Sequence, residues 1–161
     1  KWPFSEFDNF VDGASVKMPG NETFQIISDY LDHNDIYTID TNHLSSIMVD
    51  LYQTEGIITE PAGALSVACM DKYINNFLEF DIIVCIISGG NNDMARNADI
   101  FTRSLIYKNL IHSYIFDFPQ TPGALEKFIE TLKLKNIDIR CFNYSKKSTI
   151  NLFIFSIFFK A

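Results

Sequence analysis

The amino-acid sequence predicts an α/β protein, and three features of the chain support this prediction. Segments with apolar residues at helical spacing alternate with short apolar runs that are rich in β-branched residues. The clearest of these runs, Asp81 to Ser88, is apolar almost throughout, which is typical of a strand buried on both faces of a parallel sheet. Beyond residue 108 the pattern changes to strand, Pro-Gly turn, helix and strand. We therefore expect two parts, residues 1–108 and residues 109–161.

The composition excludes several classes of function. The chain has 161 residues, of which 47% are hydrophobic and 20% charged, and these proportions are those of a globular protein. A net charge of −7 leaves no basic surface for nucleic acid. We found neither a secretory signal nor an apolar run of the ~18 residues that a membrane span requires. We expect a cytoplasmic protein with no nucleic-acid or membrane partner.

The cysteines and histidines are too scattered to predict a metal site. Cysteines far apart in apolar surroundings are typical of reduced thiols in the core of a cytosolic protein. We therefore expect neither a disulfide nor a bound metal from Cys69, Cys85, Cys141, His33, His43 and His112.

The first helix and strand are predicted before residue 40. Asn21 is a plausible N-cap, and the apolar residues that follow are spaced to form one helical face. That face would comprise Phe24, Ile27 and Leu31. A short strand, Ile36 to Ile39, is expected after it.

Two further helices are predicted on either side of a short strand. The segment "TNHLSSIMVDLYQTEG" predicts a helix that ends at Gly56, where a left-handed residue favours glycine. Its apolar face would comprise Leu44, Ile47, Met48 and Leu51. The segment "IIT" predicts a short buried strand, and Pro61 then suits the first turn of a third helix.

The smaller module is predicted to be a βαβ unit from Ser113 to Tyr144. An amphipathic helix follows the Pro122–Gly123 turn, with Leu125, Phe128, Ile129 and Leu132 on its inner face. The core would contain Phe116, Phe118, Leu125, Phe128 and Ile139. The apolar tail "INLFIFSIFFKA" is either one buried strand or a divergent end.

Two turns of small residues are candidates for binding a ligand. "EPAGA", which begins at Glu60, and "SGGNND", which begins at Ser88, each follow a predicted strand and precede a helix. Ligands of α/β proteins bind at the carboxyl ends of the strands, where glycines allow close approach to the backbone. Packing alone also explains such turns, since Gly63 could simply bring a helix close to the sheet. Neither turn carries a dinucleotide or Walker fingerprint, so the residues alone predict an unspecified small-ligand cleft.

Four segments in order resemble the biosynthetic threonine deaminases (threonine ammonia-lyases). They are "FVDGASVKMPGNETFQI", "ITEPAGALSVA", "CIISGGNND" and "YIFDFPQTPGALEKFI". Serine dehydratases and serine racemases share the "DG", "EPxGA" and "SGGN" elements, whereas "DFPQTPGAL" resembles the ACT-like regulatory module of the threonine enzymes. The resemblance implies fold type II, the fold of the tryptophan synthase β subunit, followed by that α+β module.

The resemblance also implies pyridoxal 5′-phosphate as the cofactor and assigns roles to residues of both turns. Ser88 matches the serine whose hydroxyl meets the nitrogen of the cofactor ring. This partner is a neutral hydroxyl, unlike the carboxylate that holds the ring nitrogen protonated in other enzymes of this cofactor. The other residues expected around the ring are Gly89, Gly90, Asn91, Glu60 and Gly13.

Two segments of the family's pattern are not matched in this chain. One is a Ser-x-Lys-x-Arg segment whose lysine forms the Schiff base, and the other is a glycine-rich run that holds the cofactor phosphate. We therefore expect the C-terminal part of the catalytic domain plus a regulatory module whose end is incomplete or divergent. This chain should carry no catalytic residue and should be inactive alone.

The complete enzyme would convert L-threonine to 2-oxobutanoate and ammonia in isoleucine biosynthesis. Isoleucine or valine would be effectors, and a homo-oligomer is expected. Two alternatives remain: a serine dehydratase or racemase type of enzyme, and a non-catalytic amino-acid-binding regulatory fragment.

Overall fold

The computed structural model describes residues 8–80, 82–117, 121–134, 138–146 and 151–158. The chain divides into two compact units, Lys1–Ser104 and Leu105–Ala161. The helices are α1 (Asn21–Tyr30), α2 (Thr41–Asp50), α3 (Leu65–Tyr73), α4 (Asn97–Tyr107) and α5 (Ala124–Leu134). The strands are β1 (Ile111–Asp117), β2 (Asp138–Lys146) and β3 (Asn151–Phe158). The boundary expected after residue 108 stays a prediction.

Helix α2 forms the centre of the first unit. Asp40 caps its start, because one carboxylate oxygen accepts the backbone N–H groups of Asn42 and His43 at 2.9 and 3.2 Å. The helix continues through a π-helical turn and ends at Gly56, whose φ of 69° confirms the predicted left-handed end. The predicted apolar face is also confirmed, since the buried core of this unit consists of Phe10, Leu44, Ile47, Met48, Ala64, Ala68 and Ile100.

Polar contacts tie α2 to its neighbours. His43 is 2% exposed, and its Nε2 lies 2.7 Å from a carboxylate oxygen of Asp71 on α3. Arg103 of α4 donates to the Thr41 hydroxyl at 3.2 Å. A buried polar side chain is stabilising only when it is hydrogen-bonded, so these partners fix how the three helices pack.

Phe10 contacts two guanidinium groups. The guanidinium carbons of Arg96 and Arg103 are 5.0 and 4.6 Å from the centre of its ring, which is the geometry of a cation–π contact. Arg96 also donates to the backbone carbonyl of Phe10. These contacts hold the segment around Phe10 against the start of α4.

The three strands predicted for the first unit are not formed in the residues that the structure describes there. Residues 36–39, 57–59 and 82–88 have no ladder partner, and Asp81 lies outside the described residues. A strand needs a neighbouring backbone at hydrogen-bonding distance, which an apolar pattern alone does not supply. The prediction of a paired central strand with a buried Cys85 is therefore wrong for this structure, in which Cys85 is half-buried.

The segment 82–88 nevertheless keeps the alternation of an extended chain. Ile82, Val84 and Ile86 are 75–83% exposed, whereas Ile83 and Ile87 are each 40% exposed. Contacts with α3 explain the difference, because the hydroxyl of Ser66 donates to the Ile86 carbonyl at 2.6 Å. One face of this segment thus lies towards α3.

Helix α1 differs from its prediction in two respects. Gly20, rather than Asn21, occupies the N-cap position, and no side chain caps the helix. The apolar face predicted for it is not buried: Phe24, Ile27 and Leu31 are 44–47% exposed. Helical spacing predicts which residues share a face but not whether another element covers that face.

The second unit is a three-stranded sheet with one helix. Its strand order is β1-β3-β2, and β3 is antiparallel to both neighbours. The predicted βαβ succession is confirmed, but β1 and β2 are separated by β3 rather than adjacent. Residues 151–158 of the apolar tail form the central strand of the sheet, whereas the burial of that strand and the divergence of the chain's end stay predictions.

The core of the second unit centres on Leu132, which is 8% exposed. The predicted residues Phe116, Leu125, Phe128 and Ile139 pack against it, and the rings of Phe116 and Phe128 are 4.8 Å apart. Phe118 lies outside the described residues. The prediction that Ile129 lies inside is wrong, since this side chain is 45% exposed.

Replacing Leu132 by alanine should lower the free energy of unfolding by about 2–5 kcal/mol, because it removes the central side chain of a small core. Ile129→Ala, on the same helix but exposed, is the matched control and should cost less than about 1 kcal/mol. Urea denaturation followed by circular dichroism measures both. Equal losses in the two variants would contradict the assignment of this core.

Candidate functional site

The "EPAGA" and "SGGNND" turns, predicted separately from sequence, lie against each other. The backbone N–H of Glu60 donates to the carbonyl of Gly89 at 3.2 Å. Gly63 is buried at this contact, and a Cβ at its position would overlap the carbonyl oxygen of Ser88 and lie 2.7 Å from that of Gly89. Only glycine therefore permits the two turns to meet in this way.

Gly89 and Gly90 have little room for a side chain. Gly89 has a φ of 68°, and a Cβ there would overlap the Glu60 carboxylate, while a Cβ on Gly90 would lie 3.2 Å from the carbonyl oxygen of Ile58. The first of these constraints places the half-buried Glu60 directly beside Gly89. A carboxylate and a bare backbone turn thus share one surface.

The third motif, the "DG" element, contacts the "EPAGA" turn. A Cβ on Gly13 would lie 3.6 Å from the Cβ of Ala62, which is an ordinary contact distance. A carboxylate oxygen of Asp12 accepts the N–H of Gly13 at 3.0 Å and lies 3.7 Å from Arg96. All three motif segments are therefore neighbours in the folded chain, although they are distant in sequence.

The turn from Ser88 to Asn91 is exposed along its whole length. Its first residue offers a hydroxyl that can donate or accept, and the next two offer backbone without side chains. Such a surface suits a flat ligand with a polar ring atom.

Sequence reasoning missed two residues beside these turns, Thr59 and Asn92. The hydroxyl of Thr59 and the amide oxygen of Asn92 are buried without a hydrogen-bond partner. Asn92 also donates its backbone N–H to the carbonyl of Gly90 at 2.9 Å, which continues the turn. Both residues lie in segments that the sequence analysis quoted, but their burial could not be predicted because it depends on how the helices pack around them.

Two free cysteines lie near each other on α3 and the segment beside it. Burial raises the pKa of the Cys69 thiol, the neighbouring Cys85 raises this pKa further, and the ammonium group of Lys72 lowers it. Both thiols are half-buried and free, while the side chain of Cys141 lies outside the described residues. Within the described residues, no three acidic, histidine or cysteine side chains are grouped to hold a metal ion.

Comparison with known proteins identifies the class. Residues 2–89 match the family of pyridoxal-phosphate dependent enzymes, and residues 102–157 match the C-terminal regulatory domain of threonine dehydratase. Because the first match covers more than half of the chain, the chain belongs to the family of pyridoxal-phosphate dependent enzymes. The expected fold-type II domain followed by a regulatory domain is confirmed.

Particular relatives narrow the class. The chain is 44% identical over 146 residues to the biosynthetic L-threonine dehydratase of Mycobacterium tuberculosis, and this alignment covers 88% of the chain and 32% of the relative. It is 42% identical over 144 residues to the biosynthetic L-threonine dehydratase of Staphylococcus aureus, and this alignment covers 89% of the chain and 33% of the relative. The chain thus spans about a third of the length of these relatives. The resemblance inferred from the four segments is confirmed.

Family membership implies pyridoxal phosphate, and the exposed turn fits part of that cofactor. Gly89 and Gly90 are exposed, although the Cβ side of Gly89 is occupied by the Glu60 carboxylate and that of Gly90 by the Ile58 carbonyl. The exposed Ser88 hydroxyl suits an aromatic nitrogen. The individual roles of Ser88, Gly89, Gly90, Asn91, Glu60 and Gly13 stay predictions. Among the helices that the structure describes, none has the length and apolar character needed to cross a membrane.

Replacing Gly63 by alanine should lower the free energy of unfolding by about 1–3 kcal/mol, because the new methyl group overlaps the Ser88 carbonyl. Gly13→Ala is the matched control, since its methyl group meets Ala62 at 3.6 Å and fits. Urea denaturation of both variants measures the difference. If alanine were tolerated equally at the two positions, the close approach of the two turns would be wrong.

The Cys69 thiol should stay protonated to higher pH in the folded chain than in the unfolded chain, because its pKa is raised by burial. The resulting stabilisation is present below the ordinary pKa and is lost as the pH rises through the raised one. The pH dependence of iodoacetamide alkylation at Cys69, read by mass spectrometry with and without urea, measures this shift. Lys72→Met should raise the pKa further, and an identical midpoint in folded and unfolded chains would refute the prediction.

Proposed function

We propose that this sequence belongs to a biosynthetic threonine dehydratase (threonine ammonia-lyase) that converts L-threonine to 2-oxobutanoate and ammonia, a reaction of isoleucine biosynthesis. The observation that carries the proposal is the succession of two matches in one chain. A match to the cofactor family precedes a match to the regulatory domain of threonine dehydratase. The two relatives named above are both called biosynthetic L-threonine dehydratase, and they align with 88–89% of this chain.

The second match also weighs against the alternative of a serine dehydratase or racemase. The "DG", "EPxGA" and "SGGN" elements are common to that wider group, whereas the regulatory domain is named for threonine dehydratase. A purely regulatory, non-catalytic role is less well supported, because the cofactor-family match covers the larger part of the chain.

The exposed turn would hold the ring side of the cofactor. Bound pyridoxal phosphate would supply an electron-withdrawing ring that weakens bonds at the α-carbon of an amino acid. The Ser88 hydroxyl would meet the ring nitrogen with a neutral group, so that no charge is fixed there. Gly89 and Gly90 would let the ring approach the backbone, and Asn91 would complete the turn.

Glu60 and Gly13 would line the surroundings of the ring. The Glu60 carboxylate lies beside Gly89, and a backbone hydrogen bond joins these two residues, so the fold fixes the backbone that carries the carboxylate. Gly13 reaches the same region through its contact with Ala62. A preorganised polar site needs this kind of support, because its groups must not reorganise when charge develops.

The chemistry of the reaction requires groups that we do not assign to this chain. L-Threonine loses its α-proton and its β-hydroxyl group, and the elements of water are regained when ammonia leaves, so that 2-oxobutanoate and ammonia account for all atoms. The family's Schiff-base lysine lies in a Ser-x-Lys-x-Arg segment, and no lysine of this chain stands in such a segment. We therefore expect the 161-residue chain to be inactive alone.

The second unit would serve as the regulatory part of the same enzyme. Its match to a regulatory domain supports amino-acid effectors, with isoleucine and valine as the candidates. The sheet in this unit has β3 as its central strand. We also propose that the complete enzyme is a homo-oligomer.

A chimera tests the function directly. The matching third of the Staphylococcus aureus enzyme is replaced by this sequence, and 2-oxobutanoate is measured with L-threonine and with L-serine. We expect activity with L-threonine when pyridoxal phosphate is present, and none from the 161-residue chain alone. A folded, cofactor-bound chimera that acts on L-serine only would support the serine-enzyme alternative instead.

The same chimera tests the role of Ser88. Ser88→Ala should weaken cofactor affinity by about 3–10-fold, which is the effect of losing one hydrogen bond. Ser28→Ala is the control, since that exposed serine on α1 donates only to the Phe24 carbonyl of its own helix. Unchanged affinity in Ser88→Ala would remove Ser88 from the site without affecting the proposed reaction.

A further inference from the structure

Cys69 and Cys85 stand on two segments that meet in the first unit. Cys69 lies on α3, and Cys85 lies in the extended segment 82–88, which leads into the exposed turn. Both thiols are free and half-buried. The reaction proposed for the complete enzyme uses neither of them.

Contacts at Ser66 bring the two cysteines to the same place. The Cys85 thiol lies 3.8 Å from the Ser66 carbonyl oxygen, and the Ser66 hydroxyl donates to the neighbouring Ile86 carbonyl at 2.6 Å. Cys69 follows Ser66 on α3 at the i+3 position, and residues with this spacing lie on the same face of a helix. The two thiols therefore border the same turn of α3.

The exposure of the segment and the pKa of Cys69 agree with this placement. Side chains of an extended chain point alternately to opposite sides, and Cys85 falls on the less exposed side, together with Ile83 and Ile87. Burial chiefly raises the pKa of the Cys69 thiol, and the Cys85 thiol raises this pKa further. The second effect requires the two sulfur atoms to be close enough to interact.

We propose that Cys69 and Cys85 form a reversible disulfide when the chain meets a small-molecule disulfide such as glutathione disulfide. One protein thiolate attacks the small disulfide, so that one glutathione thiolate leaves and a mixed disulfide remains. The second protein thiolate then attacks the protein sulfur of the mixed disulfide and releases the second glutathione. The two protein thiols lose two electrons and two protons, and one glutathione disulfide becomes two glutathione thiols.

The segment that carries Cys85 can make the shift that this bond needs. A disulfide holds its two Cβ atoms about 3.5–4.5 Å apart. Within the described part of the chain, residues 82–88 have no ladder partner, so the hydrogen bonds of a sheet do not oppose a small movement towards α3. The bond would hold this segment, with Ser88 at its end, against the helix that follows the "EPAGA" turn. It would be a redox-sensitive brace behind the exposed turn.

The proposal does not depend on the proposed enzymatic reaction, and its test does not use activity. The folded 161-residue chain, and the same chain in urea, are each equilibrated with mixtures of reduced and oxidised glutathione, quenched with acid and alkylated. Trypsin cleaves after Lys72, between the two cysteines, so the disulfide appears in mass spectrometry as a linked pair of peptides.

We expect the equilibrium constant for forming the Cys69–Cys85 disulfide to be about 10–100-fold larger in the folded chain than in urea. The reason is that a fold that already holds the two thiols together avoids the entropic cost of closing the loop between them. Equal constants in the two conditions, or oxidation of the folded chain that ends at mixed disulfides with glutathione, would overturn the proposal.

Cys141→Ala is the matched control, because it removes the chain's third cysteine, which belongs to the second unit. It should leave the Cys69–Cys85 equilibrium unchanged. Cys69→Ala should stop at a mixed disulfide between Cys85 and glutathione. If that variant does not fold, the comparison of the unmodified chain in buffer and in urea still decides. Pairing of either cysteine with Cys141 in place of the Cys69–Cys85 bond would contradict the proposed geometry.

Discussion

The close approach of Gly63 to the Ser88–Gly89 backbone is the constraint on which the first unit depends. It brings the start of the helix that follows Pro61 against the turn after residue 87, and it places Glu60 beside Gly89. A Cβ at residue 63 would separate the two segments, and the exposed turn would lose its support. One missing side chain thus positions an exposed turn beside a carboxylate.

The features predictable from sequence were those that depend on local spacing. The apolar face of α2, its end at Gly56 and the core of the second unit around Phe116, Leu125 and Phe128 all followed from periodicity and turn chemistry. The family also followed from sequence, because four short segments occurred in the right order. Each of them alone is a common turn, and only their succession was specific.

The features that sequence missed depend on distant partners. An apolar run such as 82–88 pairs only when another backbone lies beside it, and burial of α1 requires a second surface. A strand was one of the two predictions for the tail, but its central place in the sheet depends on the two strands that flank it. The burial of Thr59 and Asn92 was missed for the same reason, since a coil residue becomes buried only through packing.

The contacts of Phe10 with Arg96 and Arg103 have a mechanical consequence. One arginine lies just before α4 and the other within it, and Arg96 also donates to the Phe10 carbonyl. Because the backbone after Phe10 leads directly to Gly13, a displacement of α4 would have to break these contacts or carry the segment with it.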